Sequence, residues 1–571
     1  MQLVLIQTIV KFKPSRLPNL SRCSWLNLSH NWEWLGLSGI CIAALILFGL
    51  NLGETPLRDW DEGIVASVAR EIWRSYENGN HWLYPTINGG QPYWNKPPLV
   101  HWLIACSYSW FGINEFSTRI VPAMLSALSV PLLYGIGKEI FTDSKAVVFS
   151  TLVYLTLLPV ARHGRLAMLD GAIVCFLNLT VWCLLRSRRH LRNLLGVGLG
   201  LGLICLTKGI MMGLLLGAIL ILFLAWDCPR LLKNSWFWQA IIIGIIPVLL
   251  WYGLQYLRYG QAFLGISLGD QTFSRIWSSV NERQGAPWYY LLEILKYTFP
   301  WLLFLPGGIL TAFTYRSSSW AKLALVWSGV YLVTISLMAT KLPWYIFPIY
   351  PALSLLIGVN LAKIWHSGRR YPIIWSQILR LSKTETARTG VPQAIIFIIL
   401  SLACYLASIW FGLVSSPPDY NLLLVLGIMA LTLTIATVML LRQSRQFIVT
   451  LFIGLYVALL LFFSGFHWVW ELAEAYPVKP IAAMLKQATP SQQIIYTSYP
   501  YHRPSLNFYS DRVIIPTSHE ELINYWQQEQ SIYFLIEPSL SEQLHLEGRH
   551  VLGTVDHWQL ITKKNCSTNC Y

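Results

Sequence analysis

Two short runs decide how this chain is read: Arg58-Asp59-Trp60-Asp61-Glu62-Gly63 and Tyr93-Trp94-Asn95-Lys96-Pro97-Pro98. They form a polar island, carrying carboxylates and a lysine, between long apolar stretches. The whole chain has 571 residues, is 55% hydrophobic and only 12% charged. Such a balance belongs to a protein that crosses a membrane many times. Several apolar runs reach the roughly 20 residues that a helix needs to span a bilayer.

Working outward, thirteen spanning helices are expected, at 36–53, 117–139, 146–161, 168–186, 193–207, 210–226, 236–256, 288–312, 320–338, 344–365, 392–413, 421–441 and 447–470. The first 35 residues read as a cytoplasmic arm. Arg186, Arg188, Arg189 and Arg192 share one loop, Arg230 and Lys233 another, and Arg442 and Arg445 a third. All these loops fall on the same side as the arm, the positive-inside pattern. The net charge of +15 is therefore explained by membrane anchoring, and a nucleic-acid partner is not expected. The odd span count puts residues 471–571 on the outer side, together with loop 54–116. Inner-membrane residence follows from the same pattern.

Within that loop, residues 97–112 are apolar but short. Counting them as a span would reverse every later loop, so they read as a helix in the interface or re-entering it, opened by Pro97-Pro98. Residues 62–74 carry Ile64, Val65, Val68, Ile72 and Trp73 at helical spacing, an amphipathic helix on the membrane with Asp61 placed to cap it. Residues 471–571 carry short β-like stretches at 494–498, 513–516, 532–536, 551–555 and 558–562. Helical patterns intervene at 478–488 and 518–528, so a small α/β domain is expected. Near the end, Cys566 and Cys570 are spaced for a disulfide if that end lies outside.

The chemistry-bearing residues cluster at outer helix ends. Asp61 and Glu62 suit a helix N-terminus, where the dipole favours carboxylates. At a membrane face a carboxylate also suits a general base acting on an acceptor hydroxyl. Lys208 in Thr207-Lys208-Gly209, Lys341 in Thr340-Lys341-Leu342-Pro343-Trp344-Tyr345, Lys96, Arg165 and Arg275 stand where basic residues are disfavoured unless used. Snorkelling explains any one of them; together they point to a pocket for an anionic headgroup. Glu293 and Lys296 read as an internal ion pair.

In order along the chain, these motifs resemble the polyprenyl-phosphate-dependent glycosyltransferases of the GT-C class, nearest to the family 39 and aminoarabinose-transferase-like proteins of the protein mannosyltransferase superfamily. The resembling pieces are Asp61-Glu62-Gly63, Ala69-Arg70-Glu71, Tyr93 to Leu99, Phe111 to Phe116 with Arg119, Met168-Leu169-Asp170, Thr207-Lys208-Gly209, Pro287-Trp288-Tyr289-Tyr290 and Thr340 to Tyr345. The resemblance implies a GT-C fold and an inverting hexosyl or pentosyl transfer. The sugar would pass from an undecaprenyl- or dolichyl-phosphate carrier to a lipid, glycan or protein acceptor on the outer face. It implies Asp61 as the catalytic carboxylate, with Glu62 beside it. Lys96, with Tyr93 and Tyr345, is similar to the set that holds the carrier phosphate or a divalent metal ion, and Asp170 matches a second acidic position. Relatives often carry a carboxylate where Asn95 stands. Asn95 hydrogen-bonds but cannot neutralise a cation, which leans the chemistry on Asp61 and Glu62. The rival class is a lipid-linked sugar transporter or flippase, expected to show inverted repeats and polar groups at mid-membrane. A further alternative is a non-catalytic relative.

Overall fold

The computed structural model describes residues 25–75, 82–278, 285–367, 391–528 and 532–563. The first helix, α1, runs Trp25–Gly49. It starts well before position 36, inside the expected arm, because Trp34, Leu35 and Leu37 continue its apolar run toward the start. The remaining helices of the first half are α2 Asp61–Arg74, α3 Leu99–Phe111, α4 Glu115–Ile140, α5 Ser144–Thr156, α6 Leu158–His163, α7 Asp170–Arg186, α8 Leu194–Lys208, α9 Ile210–Asp227 and α10 Ser235–Leu264. There follow α11 Ser274–Trp277, α12 Tyr289–Tyr297, α13 Leu305–Thr314, α14 Ser319–Leu337 and α15 Tyr350–His366, and then helices at Val391–Ile409, Tyr420–Leu441 and Phe447–Ser464.

Among the described residues nine helical stretches are long and apolar enough to cross a membrane. A bent pair, Tyr289–Tyr297 with Trp301–Thr314, makes a tenth if taken as one span. The chain is thus a multi-pass membrane protein. Of the other three expected positions, α5 and α7 are shorter helices, and on α1 the stretch counted as apolar is Glu33–Gly49. The expected span 146–161 breaks at Leu157, between α5 and α6, with Pro159 in the first turn of α6. The expected span 288–312 turns through 110°. Pro300 stands at that break, where its missing N–H cannot continue the helical ladder.

The stretch Pro343–His366 is the most buried of the long ones. It packs on α5, α13 and α14, with Trp301, Trp327 and Tyr331 filling the space around it. Outward-facing leucines and isoleucines on α10 and the 391–409 helix stay uncovered, such as Leu250, Leu257, Leu402 and Leu406. A lipid-facing surface has that character.

Between α1 and α4 the chain makes a layer rather than a span. It contains α2, a two-stranded hairpin of β1 (Thr86–Ile87) and β2 (Gln91–Pro92), and α3. At 13 residues α3 is too short to cross a bilayer. Asn114 opens α4 with a reciprocal capping box to Ser117.

Beyond the last long helix the sequence changes to β3 (Ile494–Thr497), β4 (Val513–Pro516), β5 (Tyr533–Ile536), β6 (Arg549–Val555) and β7 (Trp558–Lys563), in sheet order β4-β3-β5-β7-β6. β3 runs parallel to β4 and β5, while β7 runs antiparallel to β5 and β6. Parallel neighbours need a crossover. Helices Pro504–Ser510 and His519–Gln528 supply the two, and Val478–Ala488 leads into the sheet. Cys566 and Cys570 lie outside the described residues.

Candidate active site

The backbone before α2 makes a tight reversal. The Asp61 amide donates to the Asp59 carbonyl at 2.7 Å, two residues back, and Trp60 sits at φ 55°, ψ −76°. This is a γ-turn of the rare, strained hand. Trp60, not Asp61, therefore occupies the cap position, and no side chain caps the helix. Asp61 and Glu62 stand in the first turn of α2 and part company there.

Glu62 is fully buried. Its two oxygens accept from Arg119 Nε and Nη2, each at 2.7 Å, from the Arg58 amide at 2.8 Å and from the Ala167 amide at 2.7 Å. Burial alone would raise this carboxyl, but the Arg119 charge and these hydrogen bonds outweigh it and hold it below the ordinary range. Glu62, expected to share the chemistry, spends its oxygens inside the protein, where it ties α2, α4 and the 164–169 turn together. Asp61 keeps about a quarter of its side chain exposed, with Arg58 Nη2 at 3.5 Å.

Arg58 carries the site inward. Its guanidinium lies 5.3 Å over the Trp344 ring and 3.4 Å from a Glu471 carboxylate oxygen. Glu471 also takes Arg162, whose guanidinium lies 3.3 Å over the Trp470 ring. Next to Trp344, the Tyr345 ring faces Lys208 Nζ at 5.2 Å, and Lys208 pairs with Asp170 at 2.5 Å. The loop following Lys208 depends on Gly209, whose φ of 107° suits glycine alone. So Asp61, Asp170, Lys208 and Tyr345 gather at one end of the helix bundle, around the 343–349 turn.

Lys96 approaches from another side. Its Nζ lies 3.4 Å from Gln271 Oε1 on the wide-turned helical segment Gly265–Phe273. Trp94 and Leu99, on either side of it, pack in one apolar cluster with Leu206 and Ile210, which flank Lys208. Tyr93 is buried against Val68 and Ile72 of α2, with its ring edge-on to His101 at 5.5 Å. Asn95 is exposed. Among the described residues no three His, Cys, Asp or Glu side chains gather as a metal site. Asn95 can offer a cation a carbonyl oxygen but no negative charge.

Two expected headgroup ligands are placed otherwise. Arg165 is buried and donates to the Leu47 and Leu50 carbonyls, closing the C-terminus of α1. Lys341 donates to the carbonyls of Ile335, Ser336 and Met338, closing α14. Both satisfy orphan helix carbonyls. A lysine a few residues beyond a helix end is a sequence signal for that role; Arg165 carries no local signal. The Arg275 side chain lies outside the described residues.

The layer is clamped from above by the last hundred residues. Asp59 accepts from the Ser505 amide and hydroxyl and from Arg503 Nε at 2.5 Å. Arg70 donates to the Phe508 carbonyl at 2.7 Å, and Arg74 grips Asp511 through two bonds of 2.8 and 3.0 Å. A Cβ on Gly63 would lie 2.5 Å from the Ser505 nitrogen, so the two helix backbones touch there. The polar face of α2 is therefore covered by protein, where the amphipathic pattern alone gave it to solvent.

A crystal structure of ArnT from Cupriavidus metallidurans, bound to undecaprenyl phosphate, superposes with a TM-score of 0.71 at 19% identity, over 94% of this chain and 98% of that one. The fold is that of ArnT. It is a polytopic membrane GT-C fold, as the motif resemblance implies. Residues 95–252 match the family model described as dolichyl-phosphate-mannose-protein mannosyltransferase. An undecaprenyl phosphate-alpha-4-amino-4-deoxy-L-arabinose arabinosyl transferase 2 of Pseudomonas fluorescens strain Pf0-1 is 29% identical over 359 residues, covering 59% of this chain and 60% of the relative. A transferase 1 from strain Pf-5 of that species is 27% identical over 364 residues, covering 59% and 62%. The chain matches these ArnT-type relatives over about three fifths of their length.

Proposed function

We propose that this chain is a membrane glycosyltransferase that moves a sugar from a polyprenyl-phosphate carrier to an acceptor hydroxyl, with Asp61 as the catalytic carboxylate. The observation that carries this is the meeting at Trp344-Tyr345. Arg58, paired with Asp61, covers Trp344, while Lys208, paired with Asp170, faces Tyr345. A half-open carboxylate and a cation thus flank one small region, as displacement of a phosphate requires. The ArnT-type relatives, whose names specify an undecaprenyl-phosphate aminopentose, support the same carrier.

In this reading the carrier phosphate lies between Lys208 and Lys96, near Tyr345, Tyr93 and Asn95. Asp170 is a positioning residue that holds Lys208. Asp61 accepts the proton of the acceptor hydroxyl as its oxygen attacks the anomeric carbon. The carbon–oxygen bond to the carrier breaks, and the electron pair leaves with the phosphate, its charge met by the lysines. Attack opposite the leaving phosphate inverts the anomeric centre. The acceptor is a lipid presented at the outer face, with glycans or proteins as alternatives, and the layer with its clamp lies on that face.

The test uses the full chain in liposomes with undecaprenyl-phosphate sugar and lipid acceptors. Wild type should release undecaprenyl phosphate and glycosylate the acceptor. Asp61→Asn should lose at least about a hundredfold in kcat, the usual scale for one acid–base group, yet still bind donor. A wild type that flips labelled carrier without consuming it would establish the transporter instead; an Asp61→Asn enzyme of normal kcat would remove Asp61 from its role.

A further inference from the structure

A cavity of about 90 Å³ is walled by Arg58, Trp344, Glu471, Trp470, Tyr297 and Glu293. Its lining thus includes Arg58, the partner of Asp61, and Trp344, both at the border of the proposed reaction centre. The function proposed above assigns its far wall no task.

Glu293 is the feature in it that calls for explanation. It sits on α12 with 6% of its surface exposed. Among the described residues it accepts no hydrogen bond, and the ion pair it makes is with Lys296 Nζ at 3.9 Å. At 3.9 Å, with Lys296 63% exposed, that pair is beyond hydrogen-bond reach and supplies the carboxylate no donor. A carboxylate withdrawn from water without hydrogen-bond donors is costly. The other charges of the cavity are already matched, since Glu471 serves both Arg58 and Arg162. The walls beside Glu293 are aromatic, with the Tyr297 ring lying parallel to Trp470 at 6.3 Å. An acceptor-only carboxylate next to flat apolar faces suits a ring with hydrogen-bond donors at its edge and C–H groups on its face.

We propose that this cavity holds the transferred sugar, with Glu293 accepting from a hydroxyl or amino group on its ring. The proposal rests on the transferase function. The carrier phosphate would stay with Lys208 and Lys96, the anomeric carbon near Asp61, and the far edge of the sugar at Glu293. Glu293 keeps its loose ion pair with Lys296 and is in addition a specificity residue for the donor.

The experiment compares binding of undecaprenyl phosphate, undecaprenyl-phosphate 4-amino-4-deoxyarabinose and undecaprenyl-phosphate mannose to the purified full chain in detergent. Wild type should bind at least one sugar-bearing carrier more tightly than the bare one. Glu293→Gln should weaken that binding by about 10–100-fold, the scale of one hydrogen bond to a charged group, and leave bare-carrier binding intact. Leu158→Trp, which fills the cavity without altering a charge, should act likewise, and bare-carrier binding reports that both variants are folded. Preference for the aminosugar alone identifies the recognised group as the amine; preference for both identifies a hydroxyl. A wild type that ignores the sugar, or a Glu293→Gln variant that keeps the preference, overturns the assignment while the transferase function stands. Failure to bind any carrier removes the transferase function, and the sugar site with it.

Discussion

Arg119 and Glu62 meet through two hydrogen bonds of 2.7 Å, wholly out of water, although 57 positions separate them. Arg119 spends its remaining donors on the Leu52, Thr55 and Pro56 carbonyls. The strand of chain leading to the γ-turn is therefore pinned to α4 on one side of Glu62, and Asp61 is carried on the other.

This gives the two adjacent carboxylates opposite mutational signatures. Glu62→Gln strands the buried Arg119 charge and should cost about 3–5 kcal/mol of stability, seen as a lower Tm in detergent. Asp61→Asn, at a partly exposed position, should change stability by no more than about 0.5 kcal/mol and act on turnover. Equal Tm losses would contradict the division of roles.

Gly63→Ala tests the clamp. Its Cβ would meet the Ser505 nitrogen at 2.5 Å and the Pro504 carbonyl carbon at 2.8 Å, both backbone atoms that cannot swing aside. The 504–510 helix must lift, at about 1–3 kcal/mol as for other overpacked contacts. Hydrogen exchange should rise in 504–511 and 58–70 together. Unchanged protection there would show that the contact is not tight.

The same interface should loosen in acid. Burial pushes the Asp511 carboxyl up, but the Arg74 hydrogen bonds and the Arg70 and Arg74 charges outweigh it and hold it below its ordinary value. A carboxyl depressed in the folded state contributes stability above its unfolded pKa and loses it as pH falls through the folded value. Proteolysis between residues 488 and 513 should therefore accelerate below about pH 4, the ordinary carboxyl range. Asp511→Asn should remove that pH dependence and be cut readily at neutral pH. An acid profile identical in the variant would exclude Asp511 as its source.

Lys208 and Asp170 separate contact from positioning. Lys208→Met should weaken undecaprenyl phosphate binding about tenfold or more, the scale of a charge-assisted phosphate contact. Asp170→Asn leaves the ammonium present but untethered, so a smaller loss of binding is expected. Equal losses would mean that Asp170 itself touches the ligand.

Helix positions were legible because membrane spans declare themselves by apolar length, and the five strands because they alternate between turn residues. Breaks inside those spans were less so. Pro300 interrupts a run that is largely apolar on both sides, Glu293 and Lys296 apart, and composition does not record a 110° turn. Lys208 and Asp170 drew notice because charge at a helix end is conspicuous, whereas Tyr345, uncharged, entered only through the family resemblance; their place in a site is the function proposed above. Arg165 and Lys341 are equally conspicuous and serve helix ends instead, since a cation closes a set of carbonyls as readily as it binds phosphate. The pairs Glu62–Arg119, Asp59–Arg503 and Arg74–Asp511 left no local trace. Each joins residues far apart in the chain, and the seven-residue helix 504–510 is too short to show a period.

The clamp also sets an order of events during synthesis. The γ-turn and α2 are made early, with Glu71 beside Arg70 and Arg74, yet Asp59, Arg70 and Arg74 gain their long-range hydrogen bonds only once residues 503–511 exist. Until then the turn that carries Asp61 lacks the ties of Asp59 to Arg503 and Ser505, so the loop is finished only after the intervening helices have been made. A chain that stalls short of residue 503 holds all its long helices and leaves segment 58–74 without its clamp.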